Sequence, residues 1–439
     1  MSVQVLCTNF RLCQLQINPF TAELIEKVRV STPADVESAI ASARGAQAAW
    51  QDLGLAKRHA LLSSALLKFH ELPGGLEGLA LLVTREMGKV ISEARAEIDG
   101  AVNKEIFLRL VRAANEVEII DKENGGSMIV RDPHGVVAVL APWNFPADEI
   151  LLLSLPALMA GNTVVVKPSE VTPLVGKAIV ECLQQYLPTG VLNLVQGDGE
   201  VGRLLVTNKD IDMIGFTGSC PTGRSIIAAA GPQLKRIILE LGGKDPMVVF
   251  GDADLDAAAE QAVRFSLVNC GQVCCAVERV YVDSSIKQAF EEKCVEQIKK
   301  WKAGDGMDPL SHLGPMVSRT QKELVLKHVR DAIACGAKCL HGQVQDSEGN
   351  LLQPILLTDV PQSAIITRQE TFGPVVALTN FDGSEEKAVE LSNDTEFGLT
   401  AAVFTQDLDR ARRVASKIRA GQVYSINDTT QRWNTMHLK

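Results

Sequence analysis

Between Val136 and Leu241 five short apolar runs alternate with helical segments: VVAVLA (136–141), TVVVK (163–167), VLNLVQ (191–196), DMIGFT (212–217) and KRIILEL (235–241). Runs of this length, rich in β-branched residues and lacking polar alternation, are buried on both faces, as strands of a parallel sheet covered by helices must be. The alternation predicts a doubly wound α/β unit. Ligands of such sheets bind beyond the carboxyl ends of the strands, which directs attention to PWNFP, KPSE, QGDGEVG and FTGS. After LELGGK the alternation restarts with PMVVF, the helical LDAAAEQAVRFSLV, the strand RVYVD and an amphipathic helix over 286–302, and this second α/β unit ends with VYSIN.

Upstream, residues 34–110 carry apolar positions at helical spacing. ENGGSMIVRDPHG then reads as a projecting hairpin about Gly125-Gly126. The expected division is a doubly wound domain of residues 1–115 and 136–241, a projecting hairpin over 116–135 and a second α/β domain over 242–439.

At 439 residues with 46% hydrophobic and 22% charged residues, the chain has the material for two or three globular units. A formal net charge of −9 without a Lys/Arg stripe argues against a nucleic-acid partner. The most apolar stretch, 150–166, is interrupted by Pro156, Gly161 and Asn162 and reads as a helix followed by a strand rather than a membrane span. The ten cysteines are scattered, so reduced thiols are expected. No Cys-x-x-Cys or His-x-x-x-His pair offers a metal site. The N-terminus lacks a secretory apolar core and is acid-free up to Glu23, which leaves a cytoplasmic compartment as the expectation and organellar targeting as its alternative.

Four segments could carry chemistry. NCGQVCCAVER (269–279) sets two adjacent thiols after a polar Gly-Gln turn, a setting unlike the sealed apolar one of a structural cysteine. In LELGGKDP, Glu240 ends an apolar strand and is either a partnered buried acid or a base whose pKa burial raises. Asn144, fixed between aromatics and prolines in PWNFP, can donate to a developing oxyanion or simply bond locally. Gly197, Gly199 and Gly202 form a G-x-G-x-x-G between a strand and a helix, but no acidic residue ends the next strand as a ribose ligand would.

PWNFP, KPSE, FTGS followed by GR, LELGGK, GQ-x-C and ETFGP (370–374) stand in an order and at intervals that resemble the aldehyde dehydrogenase superfamily, from NPFTAE at 18 to VYSIN at 427. The resemblance implies NAD-dependent oxidation of an aldehyde to a carboxylic acid through a thiohemiacetal and a thioester. It makes Cys274 the nucleophile, with Cys275 a bystander. It makes Asn144 and the Cys274 N–H the oxyanion hole, and Glu240 the base for the deacylating water. It assigns cofactor contacts to Trp143, Lys167, Glu170, Ser219, Glu370 and Phe372, and none to Gly197, Gly199 or Gly202. Glu170 favours NAD over NADP, because a 2′-phosphate would meet a like charge.

The resemblance implies a Pro-Phe-Gly-Gly-rich segment and a final inter-subunit strand after VYSIN; here DTTQRWNTMHLK stands in their place and matches nothing in that pattern, which points to a homodimer rather than a tetramer. Where relatives acting on short semialdehydes carry an Arg, this chain has Leu152, against an anionic substrate. Asp148 and Glu149 could welcome a cationic aminoaldehyde, although acids in a first helical turn ordinarily answer the helix dipole. The competing readings are a CoA-acylating enzyme and a catalytically silent homologue with a binding role.

Overall fold

The computed structural model describes residues 13–116, 118–119, 126–344, 348–426 and 434–438. Two compact units divide between Glu240 and Leu241; the second also takes in Pro19–Thr21 and Gly88–Val90.

The first unit contains a five-stranded sheet whose spatial order is Leu192–Leu194, Thr163–Lys167, Val136–Leu140, Met213–Gly218 and Arg236–Leu241. The first four strands run parallel. Four of these elements match the sequence reading within a residue or two, while VLNLVQ contributes only three residues to its strand. Val136–Leu140 and Thr163–Lys167 are buried at every position, as their unbroken apolar composition requires. In chain order the strands lie third, second, first, fourth, fifth, so the order reverses between Val136–Leu140 and Met213–Gly218. A crevice opens at such a reversal. PWNFP and FTGS leave the two strands that flank it.

The helical stretch resolves into Pro33–Asp52, Gly54–Leu67, Gly75–Met87, Ile91–Val102 and Glu105–Ala114. The apolar stretch after PWNFP is the helix Pro146–Met159 followed by the strand Thr163–Lys167. Among the described residues no helix is long and apolar enough to cross a membrane. Of the expected hairpin, Glu118–Ile119 pairs antiparallel with Met128–Ile129, and its turn at Gly125 lies outside the described residues.

The second unit contains an eight-stranded sheet in the order Lys338–His341, Ile355–Thr358, Val375–Phe381, Val277–Asp283, Asp245–Val249, Thr400–Phe404, Gln422–Ile426 and Asn434–Leu438. Its six central strands are parallel and the two outer ones antiparallel. The tail is therefore not foreign to the fold, as the sequence reading had it. Asn434–Leu438 pairs along Gln422–Ile426 and supplies the last strand. The helix expected over 286–302 is shorter, Lys287–Ile298, and Trp301 packs on the core from the turn that follows. Among the described residues eight cysteines are free thiols, but Cys13 is disulfide-bonded, which corrects the expectation of reduced thiols throughout.

Two buried glutamates from the helical stretch cap helices far along the chain. Glu97 accepts from Ala147 N (2.9 Å) and Asp148 N (3.4 Å), at the start of Pro146–Met159. Glu86 accepts from Leu174 N (2.7 Å) and Val175 N (2.9 Å), at the start of Pro173–Gln184. Each answers orphan donors and a positive helix end. Burial nevertheless pushes the Glu86 carboxyl up to about 8, against the two N–H groups that favour its charge.

A raised carboxyl pKa gives the folded state a proton the unfolded chain has released, so the stability it contributes is lost as pH rises through the folded value. The melting temperature is expected to fall as pH rises from the ordinary carboxyl value of 4.5 to about 8. Glu86→Gln, which keeps an acceptor but cannot ionise, should make that fall shallower. An unchanged slope in a thermal-denaturation series would contradict the assignment.

Candidate active site

In the first unit the expected cofactor residues all sit at carboxyl ends of strands. Trp143 and Asn144 occupy the bend between Val136–Leu140 and Pro146–Met159, with Asn144 buried. Lys167 ends its strand buried, and its ammonium donates to Gly197 O (2.6 Å) and Pro168 O (2.9 Å) and pairs with Glu170 at 3.4 Å. Burial lowers the Lys167 pKa, opposed by Glu170. The Glu170 carboxylate is exposed.

Four helices of this unit begin at strand ends, and their caps differ. Glu97 and Glu86 bring carboxylates to two of them, and Asp198 caps Gly199–Thr207 by accepting from Glu200 N (3.0 Å). The helix Cys220–Ala230 has instead the exposed hydroxyl of Ser219, accepting from Thr222 N (3.4 Å) and within 3.0 Å of Thr222 Oγ1. The helix ends already served by acids have their donors taken, whereas the hydroxyl-capped, dipole-positive end suits a phosphate. The G-x-G-x-x-G turn thus carries an acid where a diphosphate would sit.

Glu240 closes the outer strand Arg236–Leu241 with its side chain exposed. Both sequence readings of this acid supposed burial, and the edge position of the strand leaves it exposed instead.

Glu149 is the acid that burial does reach. Asp148 is paired with Lys104 (2.6 Å), and the helix start is already served by Glu97. Glu149 therefore answers no dipole. Its Oε2 is shielded from solvent and has no hydrogen-bond partner among the described residues. Burial pushes its carboxyl up to about 7; the Thr217 hydroxyl opposes the shift, while Asp148 and Glu240 add to it.

In the second unit three of the sequence motifs meet. Asn269, Cys270 and Gly271 are consecutive left-handed residues (φ 52°, 60° and 68°) between the helix Leu255–Leu267 and Cys274. Such backbone costs about 1–2 kcal/mol per non-glycine residue, and local bonds hold it: Asn269 Nδ2 donates to Gln272 O (3.1 Å) and Gln272 Nε2 to Asn269 O (3.0 Å), while Gln272 Oε1 accepts from Val317 N (3.0 Å). A Cβ at Gly271 would strike the backbone of Gly373 in ETFGP. One at Gly243 would strike the carbonyl of Cys274, and one at Gly242 the carboxylate of Glu370. The double glycine of LELGGK is thus the contact between the other two motifs.

Cys274 is partly exposed and Cys275 exposed, whereas Cys270 and Cys294 are buried and desolvation pushes the Cys294 thiol far up. Glu370 accepts from Gly243 N at 3.2 Å, and burial together with nearby Glu278 pushes its carboxyl up to about 7. Phe372, half-buried, has φ 54°.

Sequence reasoning missed Lys244, Glu278 and Gln321, which bracket the ETFGP backbone. The available signal was a charged pair, Glu278-Arg279, near the start of a strand whose next three residues, Val280, Tyr281 and Val282, are buried. A charge there requires a buried partner.

The aldehyde dehydrogenase family model matches residues 13–438. A betaine aldehyde dehydrogenase of Cereibacter sphaeroides is 38% identical over 411 residues, 92% of this chain and 84% of that protein. Among solved structures, an E. coli NADP-dependent enzyme superposes with a TM-score of 0.90 at 33% identity, covering 97% of this chain and 89% of that one. A Staphylococcus aureus betaine aldehyde dehydrogenase in complex with NAD+ gives 0.89 at 34% identity, covering 96% and 86%. The matched residues include the C-terminal strand, which corrects the expectation that the tail has no counterpart. This chain belongs to the aldehyde dehydrogenase family.

Proposed function

We propose that the chain oxidises an aldehyde to a carboxylic acid with NAD, the first unit holding the dinucleotide and the second supplying the thiol. The observation that carries the reading is the meeting of the Cys274 turn, the Gly242-Gly243 pair and the ETFGP segment in one place. Residues suited to the dinucleotide are present. The Ser219-capped helix end suits the pyrophosphate, Trp143 flanks the same crevice, and Lys167 and Glu170 suit the adenosine ribose. Glu370 and Phe372 suit the nicotinamide end. An exposed carboxylate at Glu170 accepts from ribose hydroxyls and would repel a 2′-phosphate, so NAD is preferred to NADP.

The Cys274 thiolate adds to the carbonyl carbon, and the oxygen takes the displaced electron pair. The Asn144 amide and the Cys274 N–H donate to that oxyanion, each such donor being worth ~3–4 kcal/mol. NAD, when bound, supplies the hydride acceptor. Glu240, exposed and therefore reachable by water, then takes a proton from the water whose oxygen bonds to the acyl carbon. The C–S bond breaks and Cys274 leaves as thiolate.

Glu149 supports a cationic aldehyde as substrate. Glu97 already serves that helix end, and Glu149 is a shielded carboxyl beside Asp148 and Glu240, with the one nearby cation, Lys104, already paired to Asp148. The betaine aldehyde dehydrogenase relatives favour the same charge. The exposed apolar residues Met128 and Val130 of the hairpin support a homodimer, and a cytoplasmic location completes the proposal.

Cys274→Ala is expected to lower NADH formation at least 1000-fold, with Cys275→Ala near wild type. Glu240→Gln should keep a single-turnover burst of NADH but slow steady turnover about 100-fold or more, the upper part of the range for general-base catalysis. Loss of the burst as well would remove Glu240 from deacylation. Glu149→Gln should raise KM for an aminoaldehyde about tenfold and leave that for a neutral aldehyde of equal length unchanged; equal effects on both would dismiss the cationic substrate.

A further inference from the structure

Lys244 is the last residue of LELGGK and its side chain is fully buried, paired there with Glu278. A charge so placed is tolerated only with a partner and further hydrogen bonds. Both residues have them, and the bonds lead to the loop that carries Glu370 and Phe372. The Glu278 carboxylate accepts from Thr371 N (2.9 Å) and Phe372 N (2.9 Å). Lys244 donates to Thr371 Oγ1 (3.1 Å), which also lies 3.2 Å from His328 Nδ1. From the other side Gln321 Nε2 donates to Thr371 O and Phe372 O, each at 3.1 Å. The N–H groups of the loop are thus held by one side chain and its carbonyls by another.

The pair is itself fixed. Glu278 and Arg279 are adjacent on Val277–Asp283, and Arg279 donates through Nε to Lys244 O (2.8 Å) and through its other nitrogens to Leu391 O and Ser392 O, each at 2.9 Å. Gly243, next to Lys244, closes the circuit by donating to Glu370. Phe372 is a non-glycine residue with a left-handed backbone, a conformation that persists only when its surroundings over-determine it.

We propose that the buried Lys244–Glu278 pair is the positioning device of the nicotinamide end: Glu278 holds the amides that set Phe372 and Glu370, and Lys244 holds Glu278. Neither touches the reacting atoms. The inference rests on the reading that Glu370 and Phe372 meet the cofactor, and it adds that their placement is enforced from Val277–Asp283, the strand that follows the nucleophile.

The test uses the full-length protein and the double variant Lys244→Met/Glu278→Met, which removes both charges and leaves neither stranded, a change that cores often accept. Its melting temperature, the hydrogen–deuterium exchange of a peptide spanning 369–374 and the single-turnover rate of NADH formation are measured together. The expected result is a folded protein in which the Thr371 and Phe372 amides exchange at least tenfold faster and the single-turnover rate falls at least tenfold. A folded protein with those amides still protected, or with fast exchange and a wild-type rate, overturns the proposal. Glu278→Asp keeps Lys244 paired while drawing the carboxylate back from the amides; should the double variant not fold, it must show the same two changes in smaller measure, and wild-type values for both overturn the proposal equally. Glu370→Gln separates the two levels of argument. If it leaves NAD affinity and single-turnover rate unaltered, the cofactor reading fails, whatever the double variant does.

Discussion

The chemistry of the second unit depends on the absence of two side chains. At Gly242 and Gly243 the backbone passes so close to the Glu370 carboxylate and the Cys274 carbonyl that a methyl group at either position would collide with them. The Cys274 turn, the strand connection and the loop of Glu370 are therefore held at backbone contact. Close approach of this kind is what glycine permits, and it converts three separate segments into one template. The left-handed run at Asn269–Gly271 belongs to the same construction: Gly271 abuts Gly373 where no other residue fits, and the cost of bending the chain there is met by the Asn269–Gln272 exchange and the Val317 amide.

In the first unit the governing constraint is the sign of charge at helix ends. Acid side chains serve three of the strand-end helices and leave Cys220–Ala230 capped by the hydroxyl of Ser219 alone. The same capping explains Glu149. With Glu97 already at the start of Pro146–Met159 and Asp148 tied to Lys104, a third acid there has no structural duty. Its desolvation is a cost that the Thr217 hydroxyl and the Lys104 charge offset only in part.

Much of this was legible in the sequence because it is local. The β-branched runs at 136–140 and 163–167 name their own strands, and GQ-x-C, LELGGK and ETFGP show unusual residues at turns. What was not legible is nonlocal. Glu86 and Glu97 look like ordinary polar-face residues of Gly75–Met87 and Ile91–Val102, and nothing nearby indicates helices 88 and 50 residues further on. Glu240 resembles a buried acid until its strand proves to be the outer one. The tail lacks the periodicity of an obvious strand and acquires one only by pairing with Gln422–Ile426. Glu278 was the readable exception, a charge at the start of a run of buried strand residues.

The most direct test of the thiol's role is covalent. Glu240→Gln protein mixed with NAD and an aldehyde, quenched in acid and mapped by mass spectrometry, should carry the acyl group of that aldehyde on Cys274, as a thioester labile to hydroxylamine. An acyl group on Cys275, or an unmodified Cys274 in protein that has formed NADH, would contradict the account.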